Sequence, residues 1–142
     1  MDYQPRTDDA WFLIDRVLQL PARLSALPAY GDVDADLMRQ VLDESGKFVA
    51  EVIAPLNRAG DEQGARWEQG RVTMPDGFRQ AYQAFWQAGW PALACDPADG
   101  GQGLPTVLEA TLYEMLSAAN HGWTMAPGLL HGAYECIKQD RK

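Results

Sequence analysis

The chain has 142 residues, of which 46% are hydrophobic and 23% charged, and its net charge is −8. That suits one globular domain with its own core. The acidity, with a pI near 4.6, argues against nucleic acid or anionic membrane as a partner, because phosphates need a basic footprint. Cys95 and Cys136 stand in no metal or redox spacing. The start, Met1-Asp2-Tyr3-Gln4-Pro5, holds no apolar signal core. The longest uncharged run, Met115 to Tyr134, contains Asn120, His121, Pro127, His131 and three glycines, so it is a poor membrane span. A reducing cytoplasm is the expected compartment.

Thr7-Asp8-Asp9 reads as a helix start, with acids at the positive end of the helix dipole. Trp11, Phe12, Ile14, Val17 and Leu18 follow at helical spacing, and Pro21 is expected to end the segment. A short helix over Pro21 to Leu27 would close at Pro28. Asp34 is a good N-cap for the clearest helix, Ala35 to Ala54. Its apolar arc comprises Leu37, Met38, Val41, Leu42, Phe48, Val49, Val52 and Ile53, with charges opposite. Pro55 should end or bend it.

Leu56 to Met74, punctuated by Gly60, Gly64 and Gly70, reads as a partly helical excursion followed by a loop. Pro75 sits at a first-turn position, and Phe78, Ala81, Tyr82 and Phe85 give an amphipathic helix stopped at Gly89. A loop with Gly100, Gly101 and Gly103 follows, whose backbone is expected in conformations closed to other residues. Pro105 opens a helix to about Asn120, Gly122 interrupts, and Trp123 to Lys138 forms a last helix, irregular near Pro127-Gly128. No convincing strand run is visible. The fold class is all-α, an irregular bundle of about five or six helices.

Charge is uneven. Residues 1–79 hold 23 of the 32 charges, and no Lys or Arg occurs from Gln80 to Ile137. Two readings stand: these helices form the domain core, or one side of them is covered by something else.

The candidate chemistry is sparse. The glycine loop lacks the third glycine and preceding strand of a dinucleotide fingerprint, and no Lys-Ser/Thr follows as in a phosphate loop. Asp96 and Asp99 lack the spacing of an EF-hand loop. A tight helix–helix connector is the plain reading. His121 and His131 lack further ligands for zinc and a visible nucleophile to activate. Glu109 and Glu114, five residues apart in one helix, point in different directions and read as surface or interface charge. The cysteines have no basic neighbour and read as inert, buried or half-buried thiols. The five tryptophans read mostly as core or interface anchors. No catalytic constellation and no metal site emerges.

The loop and its flanks resemble the N-terminal helical domain of acyl-CoA dehydrogenases. The residues that carry the resemblance are Gly89-Trp90, then Pro97-Ala98-Asp99-Gly100-Gly101-Gln102-Gly103, with Asp99 in place of the usual aromatic. Tyr113-Glu114-Met115-Leu116, the run Phe48 to Leu56 and the connector Asn57 to Gly64 match further family pieces in order. The match covers about residues 35–137. The start, Tyr3 to Tyr30, is similar to the longer members, the group that includes methylthiopropanoyl-CoA dehydrogenases. The resemblance implies an N-terminal extension over 1–30 and a family-like helical domain over 31–142.

It also implies FAD-dependent α,β-dehydrogenation of acyl-CoA thioesters, an electron-transfer acceptor and a homo-oligomer. In the family, the catalytic glutamate and most flavin contacts lie in a middle β domain and a C-terminal helical domain outside these residues. The chain is therefore expected to be a fragment, inactive alone, with no catalytic residue of its own and no flavin-binding residue identified. Aligned on the family pattern, Thr124, Pro127, Gly128 and His131 face the acyl-chain pocket; ordinary helix packing is the competing reading for these four. The rival function is a non-catalytic helical module that docks a partner on the charge-poor half.

Overall fold

The computed structural model describes residues 3–140. The chain opens with α1 (Thr7–Trp11), which continues as a π-helical stretch over Phe12–Val17. The break falls at Gln19, which takes a left-handed φ of 52°. Pro21 instead lies in the first turn of α2 (Leu20–Leu24), where its missing N–H costs no hydrogen bond. Of the apolar residues in this segment only Ile14 is buried; Phe12, Leu13, Val17 and Leu18 are exposed. Arg39 ties α1 down, placing its guanidinium 2.7 Å from Asp8 and 2.8 Å from Asp43, beside the Trp11 ring.

Asp34 caps α3 (Ala35–Phe48), its carboxylate accepting the Leu37 N–H at 2.8 Å. Met38, Leu42, Val49 and Ile53 are buried, as the apolar arc requires, whereas Leu37 at its edge is exposed. Pro55 does not end the chain's helical course. It removes one donor and crowds the preceding turn, and the backbone answers by widening to a π-helix over Val49–Ile53. It then tightens to a 3-10 turn over Ala54–Leu56 and runs into α4 (Asn57–Gln63).

The loop expected after α4 contains a two-stranded antiparallel hairpin, β1 (Arg66–Glu68) and β2 (Arg71–Thr73), with Trp67 opposite Val72. Gln69 and Gly70 form its two-residue turn, both with positive φ (48° and 79°), the geometry that matches strand twist. The strands are too short to show a period-two pattern. α5 (Phe78–Gln87) starts after Gly77, so Pro75 precedes the helix instead of lying in its first turn.

Gly89, φ 79°, stops α5. α6 (Thr106–Thr124) breaks at Asn120 (φ −158°, ψ 82°), not at Gly122. The buried Asn120 carboxamide accepts the Trp123 N–H at 3.0 Å, as an N-cap would, and donates to the Ile53 carbonyl at 3.4 Å. A 3-10 turn over Pro127–Leu129 leads into α7 (Leu130–Asp140).

Faces of α3, α5 and α6 meet in one core, where Phe85 lies edge-on to Trp123 with centroids 5.4 Å apart. The all-α irregular bundle is thus what the chain forms. Among the described residues no helix is long and apolar enough to cross a membrane. The tryptophans divide: Trp123 is core, Trp11 and Trp90 are half-buried, and Trp67 and Trp86 are exposed.

Candidate functional site

Thr124, Pro127, Gly128 and His131 lie along the turn that joins α6 to α7. Thr124 is buried and donates its hydroxyl to the Asn120 carbonyl at 2.9 Å. Pro127 is buried, and its carbonyl accepts the Tyr113 hydroxyl at 3.0 Å. Both are fixed by hydrogen bonds to α6. Gly128 is exposed, and a Cβ built there would meet nothing within 4 Å. His131 is half-buried on α7. The flanking Met125 and Leu129 are exposed. The corner therefore has a rigid backing, an open small-residue position and one imidazole. His121, by contrast, is exposed in the turn directly after the Asn120 break.

His131 sits between two carboxylates. Its Nδ1 is 3.1 Å from Glu109 and its Nε2 is 3.6 Å from Glu135. The Glu109 contact is an ion pair by distance without hydrogen-bond alignment, and the second carboxylate oxygen of Glu109 is buried without a partner. Glu109 is 5% exposed, which removes the surface half of the surface-or-interface reading. Burial pushes its carboxyl up, His131 opposes that, and Glu135 adds to it. The signal was present in the pattern: Glu109 shares a face with Leu112 and Leu116 at helical spacing. Burial, then the Glu109 charge, holds the Tyr113 phenol at about 12. Burial first, then Glu109, raises the Cys95 thiol, which fits an inert group. Cys136 is exposed, a correction to the expected burial. Among the described residues no group of side chains has the makings of a metal site.

The glycine loop lies under the same helix α7. Tyr134 accepts the Asp96 N–H at 3.0 Å and donates to Asp99 at 2.9 Å, while Lys138 donates to Asp96 at 2.9 Å. The Ala98 N–H and then Lys138 hold the Asp96 carboxyl below its usual range. Gly100 and Gly103 have positive φ, as the composition of the loop requires.

These residues do not fit a flavin diphosphate. The Gly100, Gly101, Gln102, Gly103 and Leu104 N–H groups all donate to carbonyls between Ala92 and Pro97. The side chains at the loop surface are acidic, and Lys138, the cation beside it among the described residues, is already engaged with Asp96. An anion here would find neither free donors nor positive charge.

No protein-family model matches the chain. Over 137 residues, 96% of its length, the chain is 38% identical to the 3-methylmercaptopropionyl-CoA dehydrogenase of Ruegeria pomeroyi, of which it covers 23%. It is 28% identical over 102 residues to the broad-specificity linear acyl-CoA dehydrogenase FadE5 of Mycobacterium tuberculosis, covering 17% of it. It is also 30% identical over 121 residues to the butyryl-CoA dehydrogenase of Syntrophomonas wolfei, covering 19%. The chain thus spans about a fifth of the length of the curated relatives it matches.

Proposed function

The chain belongs to the acyl-CoA dehydrogenase family, and we propose that it is the N-terminal helical scaffold of such an enzyme, with an extension over 1–30 and the family domain over 31–142. The observation that carries this reading is the 38% identity sustained along 96% of the chain. The reaction is FAD-dependent α,β-dehydrogenation of an acyl-CoA thioester by a whole protein that passes electrons to an acceptor and assembles as a homo-oligomer in the cytoplasm. Flavin and catalytic base belong to other parts of that protein; the misfit of the glycine loop to a diphosphate agrees with this division.

The part of the present residues is to shape one wall of the acyl pocket. Thr124 and Pro127 supply a backing that does not yield, since each is buried and hydrogen-bonded to α6. Gly128 leaves room where any side chain would project. His131 offers a polar group held in place by Glu109 and Glu135. A small-residue wall with one fixed polar group suits a flexible acyl chain with a polar substituent.

The test is purification of a full-length protein containing this domain. Bound flavin that bleaches on anaerobic addition of acyl-CoAs is the expected result; no flavin and no bleaching would end the reading. The wall is tested by Gly128→Leu. It should raise KM for the longer acyl-CoAs about tenfold, given that one methylene of lost fit is worth about 10- to 200-fold, and leave flavin content unchanged. An unaltered chain-length profile removes these four residues from the pocket.

A further inference from the structure

A cleft of about 590 Å³ lies between the β-hairpin, the start of α5 and the end of α6, and none of the four corner residues lines it. Its walls are Met74, Pro75, Phe78, Tyr82 and Trp123, with Arg79 at the rim. The Trp123 indole N–H already donates to the Phe78 carbonyl at 3.3 Å. The ring therefore offers the cleft only its apolar surface. That volume falls within the range of about 300–1,000 Å³ typical of small-molecule sites, which are apolar with a few placed polar groups.

The charge around it differs from the rest of the chain. Between residues 64 and 82 the charges are Arg66, Glu68, Arg71, Asp76 and Arg79, a net positive segment in a chain of net charge −8. Asp76, which also lines the cleft, is turned to α4: Gln63 donates to its carboxylate at 3.2 Å and accepts its N–H at 2.9 Å. Arg79 is exposed and has no ion-pair partner among the described residues. An apolar trough with one uncommitted guanidinium at its edge is complementary to an apolar tail that ends in a carboxylate.

We propose that this cleft binds a free aliphatic carboxylate, tail on Phe78, Tyr82 and Trp123 and head on Arg79. The proposal stands apart from the dehydrogenase reading, because it needs neither flavin nor thioester, and either can fail without the other.

The experiment titrates the 142-residue chain with hexanoate, octanoate and decanoate, each below its micelle concentration. Calorimetry measures affinity, and backbone amide shifts map the site. Each added methylene should tighten binding about threefold to fourfold, since a buried CH₂ contributes about 0.8 kcal/mol. Shifts should cluster at 72–82 and 123–126. Arg79→Ala, at an exposed position that the fold tolerates, should weaken decanoate about fivefold and leave neutral decanol unaffected. Ala126→Trp, also at an exposed lining residue, should fill the trough and weaken both.

No binding at millimolar ligand overturns the proposal. So does affinity that ignores chain length, equal affinity for decyltrimethylammonium, or shifts that cluster at Gly128 and His131 instead.

Discussion

The glycine loop between α5 and α6 and the hairpin between α4 and α5 both reverse the chain on positive-φ residues, yet opposite forces hold them. The loop is packed from inside and clasped from outside. Its N–H groups are spent on its own carbonyls, and Tyr134 and Lys138 of α7 fasten its acidic side chains. The hairpin is three residues per strand, exposed along both, and its turn glycine has nothing within 4 Å of a built Cβ. The difference teaches that a glycine can be demanded by crowding or by backbone conformation alone, and the two demands carry different costs.

Four tests sharpen the contrast. Gly101→Ala should be the most damaging. Its φ is not positive, but its Cβ would run into the Cys95 backbone carbonyl, which cannot swing aside as a side chain can. A loss of about 3 kcal/mol is expected from such a backbone clash, read by urea unfolding. A loss below about 1 kcal/mol would mean that the loop yields. Tyr134→Phe removes two hydrogen bonds from the clasp and should cost about 1 to 2 kcal/mol. Faster hydrogen exchange at 96–104 but not at 66–73 is its signature. Gly70→Ala meets no atom and suffers only from its φ of 79°, so a loss of about 1 kcal/mol is expected. Gly70→Asn, which tolerates that conformation, should recover most of it.

The fourth concerns pH, where two acids beneath α7 act with opposite sign. The folded-state carboxyl of Glu109 is raised, so its favourable contribution is present below the ordinary glutamate value and is lost as pH rises through the raised one. Asp96 is lowered, so its contribution is present above the ordinary aspartate value and is lost as pH falls through the lowered one. Unfolding of Glu109→Gln across pH 4 to 7 should therefore show the variant gaining on the parent as pH rises. A constant gap across that range would show that folding does not raise the Glu109 carboxyl.

Much of the bundle was legible in the sequence because helical periodicity and caps are local. Asp34 caps α3 and Gly89 stops α5 as their residue types require. Two of the misses share one cause, that the deciding partner is distant in sequence. Asn120 breaks α6 because its side chain serves both Trp123 and, 67 residues away, Ile53. Glu109 is buried because α7 folds His131 over it. The hairpin rests on a Gln69-Gly70 turn with strands too short for a readable alternation. For the candidate site, the sequence brought Thr124, Pro127, Gly128 and His131 onto one turn but was silent on the carboxylates that frame His131.

By itself the sequence determined the helical class, the caps and the family, because these rest on spacing and residue identity along the chain. Only the tertiary structure decided that the donors of the glycine loop are already used, that Glu109 is a buried partner of His131, and that an apolar cleft edged by Arg79 opens beside the hairpin. Those properties depend on which groups meet after folding, and burial, not composition, fixes what each group is able to bind.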